Sequence, residues 1–117
     1  MPRIGIYVPA KNTAKYIGDA IRSVLAQEMD DWTMVVLDDA SDDGTFEAAK
    51  QVADSRCLIV RNEFSCGLIG KLKNQAMRLL PENEFVCHVG SDDLIVPECL
   101  SSYVDFMDKH KDKEVGR

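Results

Sequence analysis

The apolar positions along the chain follow two rhythms that alternate. Ile4 to Val8 is a short β-rich run closed by Pro9, and from Ile17 the residues Ile17, Ala20, Ile21, Val24 and Leu25 recur at the i, i+3, i+4, i+7, i+8 spacing of one helix face. The pair then repeats. Met34–Leu37 is continuous and of strand length, a cluster of Asp, Ser and Gly follows, and Phe46, Ala49 and Ala53 resume helical spacing. Leu58–Val60 predicts a third strand, and after a loop from Asn62 to Gly70 the residues Leu72, Ala76, Leu79 and Leu80 line a third helix that Pro81 stops. Phe85–Val89 predicts a fourth strand. Pro97 suits the first position of a last helix, where its missing N–H is not needed; Glu98 complements the positive dipole end, and Leu100, Tyr103, Val104 and Met107 supply the buried stripe.

Strands that are apolar on both faces, alternating with helices, predict an α/β fold. Four βα units would form a mainly parallel sheet with right-handed crossovers, covered by helices on both faces. Ligands of such sheets bind beyond the carboxyl ends of the strands, and nearly all the unusual residues of this chain fall in the loops after Val8, Leu37, Val60 and Val89.

Composition narrows the classes. The 117 residues form a single domain, 1–117, with 45% hydrophobic and 29% charged positions, and residues 108–117 read as a polar, solvated tail carrying His110. A net charge of -6 argues against gripping a nucleic-acid backbone or an anionic membrane. No stretch approaches the roughly 20 apolar residues of a membrane span, and the apolar run after Met1-Pro2-Arg3 is too short for a signal-peptide core. The expected location is cytoplasmic, or the cytoplasmic face of a membrane as part of a longer protein. Cys57, Cys66, Cys87 and Cys99 show no C-x-x-C spacing, which suits reduced, packing thiols. His88 alternates into a buried strand and reads as a packed core residue.

The chemistry concentrates in two acidic loops. Asp38-Asp39-Ala40-Ser41-Asp42-Asp43-Gly44-Thr45 places four carboxylates within six positions. Ser41, Asp42 or Asp43 can cap the next helix and Gly44 can supply an unusual backbone angle, whereas Asp38 and Asp39 lie too early to cap and stand at the ligand edge. A calcium loop starting at Asp39 fails because its twelfth position is Lys50. A phosphorylation-receiver domain is a closer rival, but it needs its acidic pair after the first strand, where Pro9-Ala10-Lys11-Asn12 stands. The fourth strand ends in a second doublet, Asp92-Asp93. Two such pairs would repel a phosphate ligand unless a divalent cation lay between them, and hard oxygen donors suit Mg²⁺ or Mn²⁺.

These motifs resemble the donor-binding half of a family 2 glycosyltransferase of the Rossmann-like GT-A fold, from about Ile4 to Tyr103. Pro9 and Asn12 resemble the family's P-x-Y-N start, with Lys11 in place of the aromatic, and Ser23 and Gln27 its S-x-x-x-Q. Asp38 to Thr45 reads like D-D-G-S-x-D-G-T; Asn62 and Gly67 resemble the N-x-x-G loop, Lys73-Asn74 the Arg-Asn pair, and Ser91-Asp92-Asp93 the D-x-D region, in which Gly90 replaces a first acid. The resemblance implies a nucleotide-diphosphate sugar as ligand, usually a uridine diphosphate sugar, held by Pro9, Ala10, Asn12, Asp38, Asp39, Lys73 and Asp92, with Asp93 ligating Mn²⁺ or Mg²⁺ on the diphosphate. It implies inverting transfer to an acceptor hydroxyl of unknown identity, saccharide, lipid or protein. The acceptor half and its general base are absent from this chain, so the fragment is expected to bind without turnover. Two non-transferase expectations remain open: a nucleotide or sugar-phosphate sensing module, and an edge-strand dimer.

Overall fold

The computed structural model of the protein describes residues 2–110. Strands β1 (Ile4–Ala10), β2 (Trp32–Asp38), β3 (Cys57–Arg61) and β4 (Phe85–His88) alternate with helices α1 (Ala14–Leu25), α2 (Thr45–Val52), α3 (Ile69–Arg78) and α4 (Cys99–His110). All strand pairs are parallel, and the order across the sheet is β3-β2-β1-β4.

This order dictates where the helices lie. The chain steps from β1 to β2 to β3 in one direction, then returns past β1 to place β4. Right-handed crossovers therefore put α1 and α2 on one face and α3 on the other. Alternation along the strands matches. Ile4, Ile6, Val8 and Ala10 of β1, with Trp32, Met34 and Val36 of β2, pack against Ile17, Ile21 and Val24 of α1, Ala49 of α2, and Leu100 and Val104 of α4. On the opposite face Val35 and Leu37 meet Leu72 and Ala76 of α3, with Tyr7, Val60 and Leu80 around them.

Several details depart from the sequence reading. β1 runs through Pro9 to Ala10. Proline normally avoids central strands, but β4 pairs only with Ile4–Tyr7, so Pro9 has a neighbour on one side alone and its missing N–H costs no ladder bond. Helix α4 begins at Cys99, two residues after Pro97; Pro97 lies in the preceding turn, where its carbonyl accepts Glu28 N–H at 2.9 Å. His88 is exposed rather than packed in the core. The reason is that α3 covers β1 and β2 only, leaving Val86 and His88 on a bare face of β4, where His88 stacks on Tyr7 with ring centroids 5.2 Å apart. The expected polar tail is helical as far as His110, which stacks on Phe106 at 4.2 Å, while Asp108 holds Arg3 at 2.8 Å; residues 111–117 of that tail lie outside the described residues.

The four cysteines are free and half-buried, and burial pushes the Cys57 and Cys87 thiols up. Among the described residues no helix is long and apolar enough to cross a membrane.

Candidate functional site

The carboxyl ends of β1, β2 and β3 finish level, since Ala10 pairs with Asp38 and Asp38 with Arg61. β4 ends at His88, opposite Tyr7. Both acidic doublets therefore leave the same edge of the sheet, on strands flanking β1, two strand spacings or roughly 10 Å apart.

The first doublet splits. Successive residues of a strand point to opposite faces, so Asp38 continues the inward row of Trp32, Met34 and Val36, and Asp39 turns toward the α3 side. Asp38 is fully buried and its carboxylate accepts both the N–H and the hydroxyl of Ser41. Arg61 approaches it at 3.8 Å and donates to the Ser41 carbonyl at 2.9 Å. The Asp38 backbone carbonyl accepts Asn62 N–H at 2.8 Å. Asp38 thus holds the loop together from beneath.

Asp39 lines a cleft of about 380 Å³ together with Lys11, Ser65, Gly67, Leu68, Ile69 and Leu72. Its carboxylate accepts Asn62 Nδ2 at 2.9 Å, Cys66 N–H at 2.9 Å and Ser65 Oγ at 2.7 Å. Burial pushes this carboxyl up, but those donors from Asn62, Cys66 and Ser65, with the charge of Lys11, outweigh it and hold Asp39 below the usual aspartate value. The cleft therefore offers a fixed anion beside a cation.

The loops after β1 and β2 are laced into one unit. Asn12 N–H donates to Ser41 Oγ at 2.8 Å, Asp42 N–H to Asn12 Oδ1 at 3.1 Å, and Asp39 N–H to the Ala10 carbonyl at 2.8 Å. Helix α1 lacks a side-chain cap of its own. Its first N–H groups are met from the neighbouring loop, Thr13 by Thr45 Oγ1 and Ala14 by Asp43 Oδ2, while Asp43 Oδ1 also accepts Thr45 N–H at the start of α2. Asp43 serves both helices, and the Thr45 hydroxyl, with these N–H groups, holds its carboxyl low against desolvation.

Within this loop Ala40 sits at φ 59°, in the left-handed region where glycine is at home. Ala40→Gly is expected to raise the unfolding free energy by about 0.5 kcal/mol, the strain relief being partly offset by the extra freedom of the unfolded glycine. A denaturant titration checks this; a destabilised variant would contradict it.

The second doublet is open. Asp92 and Asp93 are exposed, and their carboxylates have no hydrogen bond or ion pair among the described residues. The Asp93 carboxylate folds over Gly90, so that any side chain at 90 would meet it. The loop carrying the doublet is anchored from α1. Ser23 Oγ accepts Ile95 N–H at 3.2 Å, and Gln27, just past α1, donates to the Val96 carbonyl at 2.7 Å and accepts Leu100 N–H at 2.9 Å.

Of the residues the resemblance assigned to the donor, Asp39 lines the cleft, and Gly67 of the N-x-x-G loop lines it as well. Pro9 and Ala10 are buried in β1, Asn12 braces the acidic loop, Asp38 lies beneath it, and Lys73 on α3 adjoins the cleft residue Leu72. Desolvation, then the Lys73 charge, lowers the His88 imidazole below its ordinary 6.5 against the opposing pull of Asp93. His88 is thus within electrostatic reach of both Lys73 and Asp93. The cleft residues Lys11, Ser65 and Leu68–Ile69 were not anticipated: Lys11 stood out only as a departure from an aromatic, and Ser65 carries no periodic signal at all.

A cation lying between the two doublets is not what the geometry offers, because the Asp38 carboxylate is engaged by Ser41 of its own loop and the Asp39 carboxylate by Asn62, Ser65 and Cys66 of the loop after β3. Among the described residues no three metal-ligating side chains gather. Asp92 and Asp93 by themselves match a divalent ion that uses one or two carboxylates and completes its shell with phosphate oxygens and water.

Residues 5–116 match the family model described as Glycosyl transferase family 2. The poly(ribitol-phosphate) β-N-acetylglucosaminyltransferase TarS of Staphylococcus aureus is 34% identical over 113 residues, covering 94% of this chain and 20% of TarS. In Escherichia coli, the UDP-Glc:α-D-GlcNAc-diphosphoundecaprenol β-1,3-glucosyltransferase WfgD is 30% identical over 92% of this chain and 42% of its own length. The solved structure of TarS 1–349 in complex with UDP superimposes with a TM-score of 0.85 at 31% identity, over 93% of this chain and 33% of that one. Mannosyltransferase PcManGT from Pyrobaculum calidifontis, in complex with GDP-Man and Mn²⁺, gives 0.80 at 26% identity, over 91% and 32%. The chain spans less than half the length of these relatives.

Proposed function

Because the chain belongs to glycosyl transferase family 2, we propose that it is the donor-binding part of a GT-A glycosyltransferase, taking a nucleotide-diphosphate sugar, foremost a UDP-sugar, at the carboxyl edge of its sheet. One observation carries the reading: a cleft in which the ionised Asp39 is fixed beside Lys11, on the same edge as the free doublet Asp92-Asp93. The UDP bound to TarS supports it.

In this reading the nucleoside enters the cleft. Asp39 accepts a donor of the base, Lys11 meets a carbonyl oxygen, and the apolar wall of Leu68, Ile69 and Leu72 covers a ring face. Asp38, Asn12, Pro9 and Ala10 act indirectly, by holding Asp39 and Lys11 in place. Asp93, with Asp92 beside it, would hold Mn²⁺ or Mg²⁺ against the diphosphate. When bound, such an ion would supply positive charge to stabilise the diphosphate as it leaves the sugar's anomeric carbon. Lys73 adds a positive charge near the same end. The Mn²⁺ of PcManGT supports the metal assignment. Inverting transfer to an acceptor hydroxyl needs a general base and an acceptor site. We place both in sequence beyond this chain, so the isolated chain binds donor and does not turn it over. Catalysis is proposed to occur on the cytoplasmic side, within a longer protein.

Titration calorimetry of UDP, with Mn²⁺ and with a chelator, tests the assignment. Chelation is expected to weaken UDP about tenfold, the worth of one charge-assisted contact, and Asp93→Ala to reproduce that loss without a further effect of chelator. UDP affinity indifferent to both would remove Asp93 from the metal site.

A further inference from the structure

The two acids of the second doublet meet over position 90. Asp93 N–H donates to the Gly90 carbonyl at 3.1 Å, closing a tight turn that folds the Asp93 side chain back over the glycine. A Cβ at position 90 would overlap Asp93 Oδ2 and lie 3.0 Å from Asp93 Cγ and 3.4 Å from Asp92 Oδ1. Those are its three nearest atoms, so both carboxylates border one small space. Two anions turned to a common point repel each other, and neither has a hydrogen bond or ion pair among the described residues. A divalent ion, which takes one or two carboxylates, makes such a convergence favourable.

Glycine is not required here for its backbone freedom. The left-handed glycines are Gly44 and Gly67, and Gly90 is not among them. An alanine would therefore strain no dihedral, and it would push first on the end of an exposed side chain. What the missing side chain supplies is room.

We infer that Gly90 is a positioning residue, whose lack of a side chain lets the Asp93 carboxylate close over position 90 beside that of Asp92, so that the two present a paired oxygen site to a divalent ion. This role rests on the metal assignment proposed above. In the family resemblance Gly90 is a missing acid; in the structure it is space that any side chain would take from Asp93.

The test is Mn²⁺ binding to the full chain in the presence of UDP, read from the electron paramagnetic resonance of the free ion, for the wild type, Gly90→Ala, Asp93→Ala and the double variant. Gly90→Ala is expected to weaken Mn²⁺ about tenfold, as the loss of support to a metal ligand does, with the melting temperature unchanged. With a chelator present its UDP affinity should equal that of the wild type, which a general disturbance of the fold would not allow. The double variant should lose no more than Asp93→Ala alone, because Gly90 acts through that carboxylate. A Gly90→Ala variant that binds Mn²⁺ like the wild type overturns the role of Gly90. So does a loss that adds to that of Asp93→Ala, or one that extends to UDP in chelator; in each case a wild type still sensitive to Asp93→Ala keeps the metal assignment standing. If Asp93→Ala leaves Mn²⁺ binding unchanged, the ion does not sit on Asp93, and both readings fall.

Discussion

Asp38→Ala is expected to lower the unfolding free energy by about 3 kcal/mol, or the melting temperature by roughly 15 °C in a domain of this size. The cause is what the substitution strands. Asp38 is fully buried and serves two donors of Ser41. Without it the Ser41 N–H and hydroxyl lose their acceptor at a buried position, each at a cost of about 1–2 kcal/mol, and Arg61 loses the anion it approaches at 3.8 Å. Asp38→Asn keeps an acceptor for the hydroxyl and should lose about half as much. Thermal unfolding followed by circular dichroism measures both, and a loss below about 1 kcal/mol for Asp38→Ala would show that water replaces the carboxylate.

Asp39→Ala is expected to weaken UDP by about thirtyfold, or roughly 2 kcal/mol, as the loss of a hydrogen bond to a charged acceptor. A pH signature accompanies it. The folded-state pKa of Asp39 is lowered from 3.8, chiefly by Asn62, Cys66 and Ser65 in opposition to burial. The ionised group therefore contributes stability that is fully present above the unfolded value and is lost as pH falls through the lower, folded one. The stability gap between wild type and Asp39→Ala should be widest near neutrality and close progressively below about pH 4. A gap constant from pH 7 to pH 2, measured by urea titration at each pH, would mean that Asp39 does not act through its charge.

The order of elements could be read in the sequence because each helix carries its own apolar stripe, as in Ile17, Ile21 and Val24, and each strand a continuous apolar run, as in Met34 to Leu37. These are local signals. The bare face of β4 is not local. It follows from where α3 settles, over β1 and β2, and only that placement exposes His88. The acidic motif could be located but its division of labour could not be read: Asp38 and Asp39 are the same residue type, and their roles separate only because adjacent residues of a strand face opposite ways. The cleft needed three loops from distant positions, and Ser65 enters it through an irregular turn that no periodicity marks. Pro9 was read as a strand stop, and the strand passes through it because β4 is too short to reach its level.

Asp43 bonds the first turns of two helices at once, and Asn12 and Ser41 hold their loops to each other. A ligand arriving at this rim meets walls already in their final shape, so little chain freedom is lost on association and folding has largely met the cost of ordering them. Complex formation should then resemble a key entering a rigid lock, with a heat-capacity change no larger than the surface of the base itself accounts for.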